Sequence, residues 1–340
     1  MSDIANPPNA VVRRPEEGGT SAAAAQRTPG NPRLGYIFAG LNAVISGVAI
    51  YINSNGVKTF KDSTLYTAMK NAVVGVCVLV LLLFFSNARS ELRRLTRRQV
   101  ALLGVVALIG GSVSYALDFR GLQLSTPVTA ALIDHAQFLY VAIFAAIFLH
   151  DRFGPAVWLA LGVLFVGLSF GLKVNAVRWD SGAPFLLVAT LMFAFDFIVI
   201  KHLLHSVSML TVMLFKMTFG SALLVGYVGA TGHLGAVGHL TGTQWRYVLV
   251  TGLILLAFTL TSIAGLRHAS ATAVIAIGAG SPLITTMLVV VNKHKHINAN
   301  TLFGLALVLL AVLVIFTFGQ RQELRSAARP VPAREKAVTA

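Results

Sequence analysis

The sequence predicts an all-α integral membrane protein of ten transmembrane helices, arranged as two inverted five-helix repeats. Three observations carry that expectation. Of 340 residues, 56% are hydrophobic and 11% charged, with a mean hydropathy of +0.77, so too little polar surface exists to clothe a water-soluble globule. The apolar residues fall into ten stretches near the roughly 20 residues that cross a hydrocarbon core about 30 Å thick. Those stretches form two sets of five, in 34–174 and 181–319, and an odd number of crossings per set turns the second set over relative to the first.

Residues 1–33 have no apolar core of the kind a secretory signal needs, are rich in Pro, Gly and Ala, and read as a disordered cytoplasmic tail; 320–340 read the same way. Span one covers about 34–53 and carries Asn42 and Ser46 at i, i+4 on one face, able to bond either a substrate or a neighbouring helix. Span two, 63–85, contains Lys70 and the single cysteine, Cys77, which has no disulfide partner. Span three, 100–118, ends at Asp118 and Arg120, read as surface groups. Span four, 126–149, holds Asp134, His135, Gln137 and Tyr140. Pro155 and Pro184 open spans five (155–174) and six (183–203), where a helix start tolerates a missing N–H. Asp196 lies inside span six and Lys216 inside span seven, 207–230. Span eight is 246–266. Span nine, 270–291, is expected to break near its middle at Gly278, Gly280 and Pro282, next to Ser281, and span ten is 299–319.

A shift of 144 residues lays GLQLSTPVTAALI (121–133) on GLRHASATAVIAI (265–277), and LGVL at 161 falls near FGLA at 303. Lys70 and Lys216 correspond after two further residues. Orientation follows from the basic residues. With both termini cytoplasmic, that side holds 17 of the 27 Lys and Arg, including Arg89, Arg93, Arg94, Arg97 and Arg98 in one short loop, and the other side holds eight. The net charge of +15 therefore orients the chain in a cell (inner) membrane rather than binding nucleic acid. In this topology Lys70 is roughly 10 Å from the outer face and Lys216 roughly 13 Å from the inner one. Asp134, roughly 12 Å in, matches Lys70, and Asp196, roughly 10 Å in, matches Lys216. Each half thus offers one lysine and one acid at similar depth. A charge there is costly and marks a functional site by default, although snorkelling or a static salt bridge would also account for it.

The basic residue in TAMKNAVVG and LFKMTFG, the GL turns into spans four and nine, the proline of GAGSPL and the acid of HDRF (Asp151) together resemble the drug/metabolite transporter superfamily, of the bacterial ten-helix EamA type. The chain departs from that pattern in having lysine where arginine is usual, Gln137 and Phe138 in place of the first proline, and Lys295 opposite Asp151. The resemblance implies a secondary transporter, with proton-driven export as the suggested mode and cargoes that vary from amino acids to drugs, purines and sugar phosphates.

Lys70 and Lys216 would hold a substrate carboxylate or phosphate, and Asp134 and Asp196 an amine. Asp134 with His135 is the candidate for proton coupling, and Asn42, Gln137 and Ser281 are candidate contacts. His233, His239, His294 and His296 lack the spacing of a metal site, and no nucleotide loop, dinucleotide fingerprint or nucleophile elbow occurs, so no cofactor and no enzyme activity are expected. The reading is a secondary active transporter for a small polar or zwitterionic metabolite such as an amino acid, a monomer or homodimer in the bilayer, with no nucleic-acid partner. Its rivals are an exchanger of phosphorylated or nucleotide-linked sugars, an intramembrane enzyme using Asp134 and Asp196, and a sensor without flux.

Overall fold

The computed structural model describes residues 31–56, 59–60, 62–125, 133–134, 136–149, 154–171, 180–293 and 299–319. His135, Asp151, Lys173, Arg178, Trp179, His294, Lys295, His296 and both proposed tails (apart from residues 31–33) lie outside them. Among the described residues every regular element is a helix. In chain order these are α1 (Pro32–Gly56), α2 (Ser63–Phe84), the short α3 (Ser86–Leu92), α4 (97–124), α5 (Gln137–Phe144), α6 (Pro155–Gly171), α7 (Ala183–Leu203), α8 (209–230), α9 (Gly242–His268), α10 (Ala271–Gly278), α11 (Ser281–Lys293) and α12 (Ala299–Val314). Among the described residues eight helices are long and apolar enough to cross a membrane, taking α10 and α11 together, and Gln137–Leu149 and Pro155–Phe170 are shorter apolar helices. Large apolar side chains such as Leu83, Phe84, Leu159 and Leu302 face outward, as they can when lipid is the solvent. Tyr36, Leu103, Phe138, Leu164, Met213 and Met217 fill the interior.

The helices correspond in pairs, and so do their details. Thr96 and Thr241 each cap the helix that follows through a reciprocal bond with a glutamine three residues on, Gln99 and Gln244. Each glutamine then reaches the connection ahead of the other half's second helix: Gln99 donates to Ser206 Oγ at 3.1 Å and Gln244 to the Thr59 carbonyl at 2.7 Å. Gly35 of α1 lies against His268 and Ala269, and Gly182, just ahead of α7, against Leu124 and Ser125. The first helix of each half is therefore embedded in the other half. α1 packs on α9, α10 and α11, and α7 on α4 and α5; α2 packs on α8, and α6 on α12.

The break expected in span nine is a turn at Ala279–Gly280 between α10 and α11, with Gly280 N–H bonded to Ile277 O and Leu283 N–H to Gly280 O. A shift of 144 residues finds the same turn ahead of α5, with Ala136 N–H bonded to Ile133 O and Leu139 N–H to Ala136 O. Glycine and proline are thus not its only source, since alanine makes the turn in the first half.

Wide turns closed by i→i−5 bonds interrupt α4 at Val106–Val113 and α8 at Leu214–Phe219, a distortion often found at functional positions. They meet where Gly111 faces the Lys216 carbonyl and the Gly220 Cα, and a Cβ on Gly111 would come within 2.8 Å of that Cα. Gly111→Ala should therefore push α4 from α8 and cost about 1–3 kcal/mol. A melting curve of the detergent-purified variant checks this, and an unchanged midpoint would refute the close approach.

Candidate functional site

The two lysines have different surroundings. Lys216, on the wide turn of α8, is 7% exposed and forms an ion pair with Asp196 of α7, which is 1% exposed. Gly110 of α4 seals the pair, since a methyl group there would overlap the Asp196 carboxyl. Asp196 Oδ1 is buried with no hydrogen-bond partner among the described residues. The pair is held between three helices, α4, α7 and α8.

Lys70, 8% exposed on α2, has no such partner among the described residues. Its ammonium lies over two rings, 5.5 Å from the centroid of Tyr66 and 5.6 Å from that of Phe119. Among the described residues it makes no hydrogen bond, and the carboxylate that acts on it is that of Asp118. Asp118 neighbours Asp134, whose carboxyl accepts from Thr190 Oγ1 of α7 at 3.4 Å. Tyr115, one turn before Phe119, packs edge-on against Phe193 of α7 with ring centroids 5.1 Å apart.

The Tyr66 ring is fixed independently of Lys70. Its hydroxyl bonds to Asn53 Oδ1 of α1 at 2.6 Å and to Thr251 Oγ1 of α9 at 2.9 Å, and Phe60 covers it with ring centroids 4.9 Å apart. The polar atoms of Asn71, next to Lys70 on α2 and 1% exposed, and of Ser114, one turn before Asp118 and fully buried, have no partner among the described residues. Buried polar groups in that state call for water or a ligand.

The sequence candidates divide accordingly. Lys70 and Asp134 come together, joined by Asp118, Tyr66, Phe119 and Thr190, while Lys216 and Asp196 meet each other. Asn42 spends its amide on the Phe258 carbonyl at 2.9 Å and Thr261 Oγ1 at 3.1 Å, with its Oδ1 toward Gly278, a link between α1, α9 and the broken helix. Ser281 is 2% exposed against Gly47 of α1, and Gln137 is half-buried at the start of α5. Pro282 follows Ser281 in the first turn of α11.

Asp118 corrects the expectation of a surface group. The sequence reading ended span three at Asp118, but the helix runs to Leu124, so Asp118 sits well over a turn inside it, while Arg120 is exposed. The signal was in the sequence. The capping pair Thr96 and Gln99 starts the helix at Arg97, and Ser114 and Asp118 then share a side by i, i+4 spacing, as do Tyr115 and Phe119. Among the described residues no group of three or more His, Cys, Asp or Glu could hold a metal.

The model of the EamA-like transporter family matches residues 33–172 and again 180–317. The chain belongs to that family. The two matches coincide with the two sets of corresponding helices, so the pairing of capping boxes and turns described above is that of a family repeat. No curated protein matches the chain. Among solved structures, 29 chains match. One, titled "Crystal structure of protein", is 18% identical, covers 86% of this chain and 98% of its own, and superposes with a TM-score of 0.68; at that identity the likeness speaks for the fold.

Proposed function

We propose that this EamA-family membrane protein is a secondary active transporter that moves a small zwitterionic metabolite, an amino acid being the leading class, by alternating access of two inverted halves. It lies in the inner membrane with both termini cytoplasmic and exports its cargo in exchange for protons. The observation that carries the substrate class is the first-half cluster, where Lys70 and Asp118 stand within membrane-spanning helices with the Asp134 carboxyl as their neighbour. Such a cluster holds complementary groups for a carboxylate and an amine, and burial makes each interaction strong.

The same geometry weighs against a dianionic cargo. A sugar phosphate would draw on both lysines, yet Lys216 is already satisfied by Asp196. An acid–base pair made of Asp134 and Asp196 is disfavoured too, because each carboxyl is engaged by a different set of partners. Two neighbouring carboxyls, Asp118 and Asp134, are the natural place for a proton to load and leave.

A thermal-shift screen of the purified protein against amino acids, purines, polyamines and sugar phosphates tests the reading, since a ligand of the folded state raises the midpoint. An amino acid should stabilise the wild type and should lose roughly tenfold or more in affinity in Asp118→Ala, as expected for a charged hydrogen bond worth about 1.5–3 kcal/mol. Stabilisation that is confined to sugar phosphates, or equal in Asp118→Ala, would overturn it.

A further inference from the structure

We propose that the cage of the Tyr66 and Phe119 rings and the Asp118–Asp134 carboxyl pair is the receptor for the substrate's ammonium group, and that Lys70 fills it as a tethered stand-in until substrate displaces it. This rests on the reading above that the first-half cluster is the substrate site, and it names which groups take which end of the substrate.

Two aromatic faces together with an anion are what recognises an organic ammonium. Lys70 meets that description, at 5.5 and 5.6 Å from the two ring centroids and in the field of Asp118. An ammonium has three N–H donors, and here none finds a hydrogen-bond acceptor among the described residues. Lys70 is therefore held by nondirectional attraction, which an incoming ammonium reproduces at little loss. Lys216 is the internal control, with a direct carboxylate partner and a glycine wall.

The cage does not depend on its occupant. Tyr66 is fixed by Asn53 and Thr251, and Asp134 is held by Thr190. The flexible four-carbon stem of Lys70 lets its ammonium move aside. Once displaced, it is free to pair with the substrate carboxylate. A zwitterion thus supplies both halves of an exchange, replacing Lys70 in the cage and then neutralising it. A simple amine supplies only the first half, and so competes poorly against Lys70.

The test uses the full chain in lipid nanodiscs, with Lys70→Met titrated with methylammonium chloride and, separately, sodium acetate, following the melting midpoint. Lys70→Met should bind methylammonium roughly tenfold more tightly than the wild type, and adding Phe119→Leu or Asp118→Ala should remove the gain; acetate should gain nothing. Lys70→Gln is the second variant should Lys70→Met not yield a folded protein. No gain in either variant overturns the proposal, as does a gain that survives both second substitutions. If an amino acid stabilises the wild type while Lys70→Met gains no amine binding, the cage is wrong and the transporter reading stands. If Lys70→Met gains methylammonium but no amino acid stabilises the wild type, the zwitterion reading fails and the cage stands.

Discussion

Asp196→Ala is expected to destabilise the protein by about 3–5 kcal/mol, because it strands the Lys216 ammonium among three packed helices. The estimate follows from what is left behind rather than from the worth of the pair. Replacing both partners by apolar residues, as in Asp196→Leu with Lys216→Met, should recover most of the loss, since a buried ion pair and a hydrophobic contact of similar volume are often equivalent. Equilibrium unfolding in mixed detergent measures all three proteins. A double variant as unstable as Asp196→Ala alone would mean that the pair does more than neutralise itself.

Asp134→Ala should behave in the opposite way. Its bond from Thr190 is long, at 3.4 Å, so the cost in folding should be modest, about 1 kcal/mol. Binding of a zwitterion should instead fall by roughly 10–100-fold, the loss of a charged hydrogen bond worth about 1.5–3 kcal/mol. Titration of purified protein with the amino acid that stabilises the wild type gives the affinity, and a melting curve gives the fold. If Asp134→Ala proves as destabilising as Asp196→Ala and binds normally, the roles assigned to the two acids are reversed.

Much of the fold was legible because a bilayer leaves few options. Backbone polar groups must be satisfied within each segment, so apolar length alone marks helices, and the 144-residue shift aligned their order. The ends were less legible, as at span three, where the limit was drawn at the first charged residue instead of from the Thr96–Gln99 cap. The site was half legible. Depth along a helix follows from residue number and rise, which placed Lys70 with Asp134 and Lys216 with Asp196. Rotation about the helix does not follow from depth, so nothing in one dimension told a lysine clamped by Asp196 from one standing over Tyr66 and Phe119. Tyr66 and Thr190 escaped notice for the same reason, being ordinary residues within apolar spans.

The two lysines differ in their surroundings. Lys216 pairs with Asp196 between α7 and α8, whereas Lys70 has no ion pair among the described residues. The most direct test is counterflow in proteoliposomes loaded with the unlabelled amino acid that stabilises the wild type. Wild-type protein should concentrate external label above protein-free liposomes, the Asp196→Leu/Lys216→Met double variant should retain that ability, and Asp134→Ala should lose it. Label that never exceeds the protein-free level with wild-type protein, or that accumulates equally with Asp134→Ala, would contradict the account.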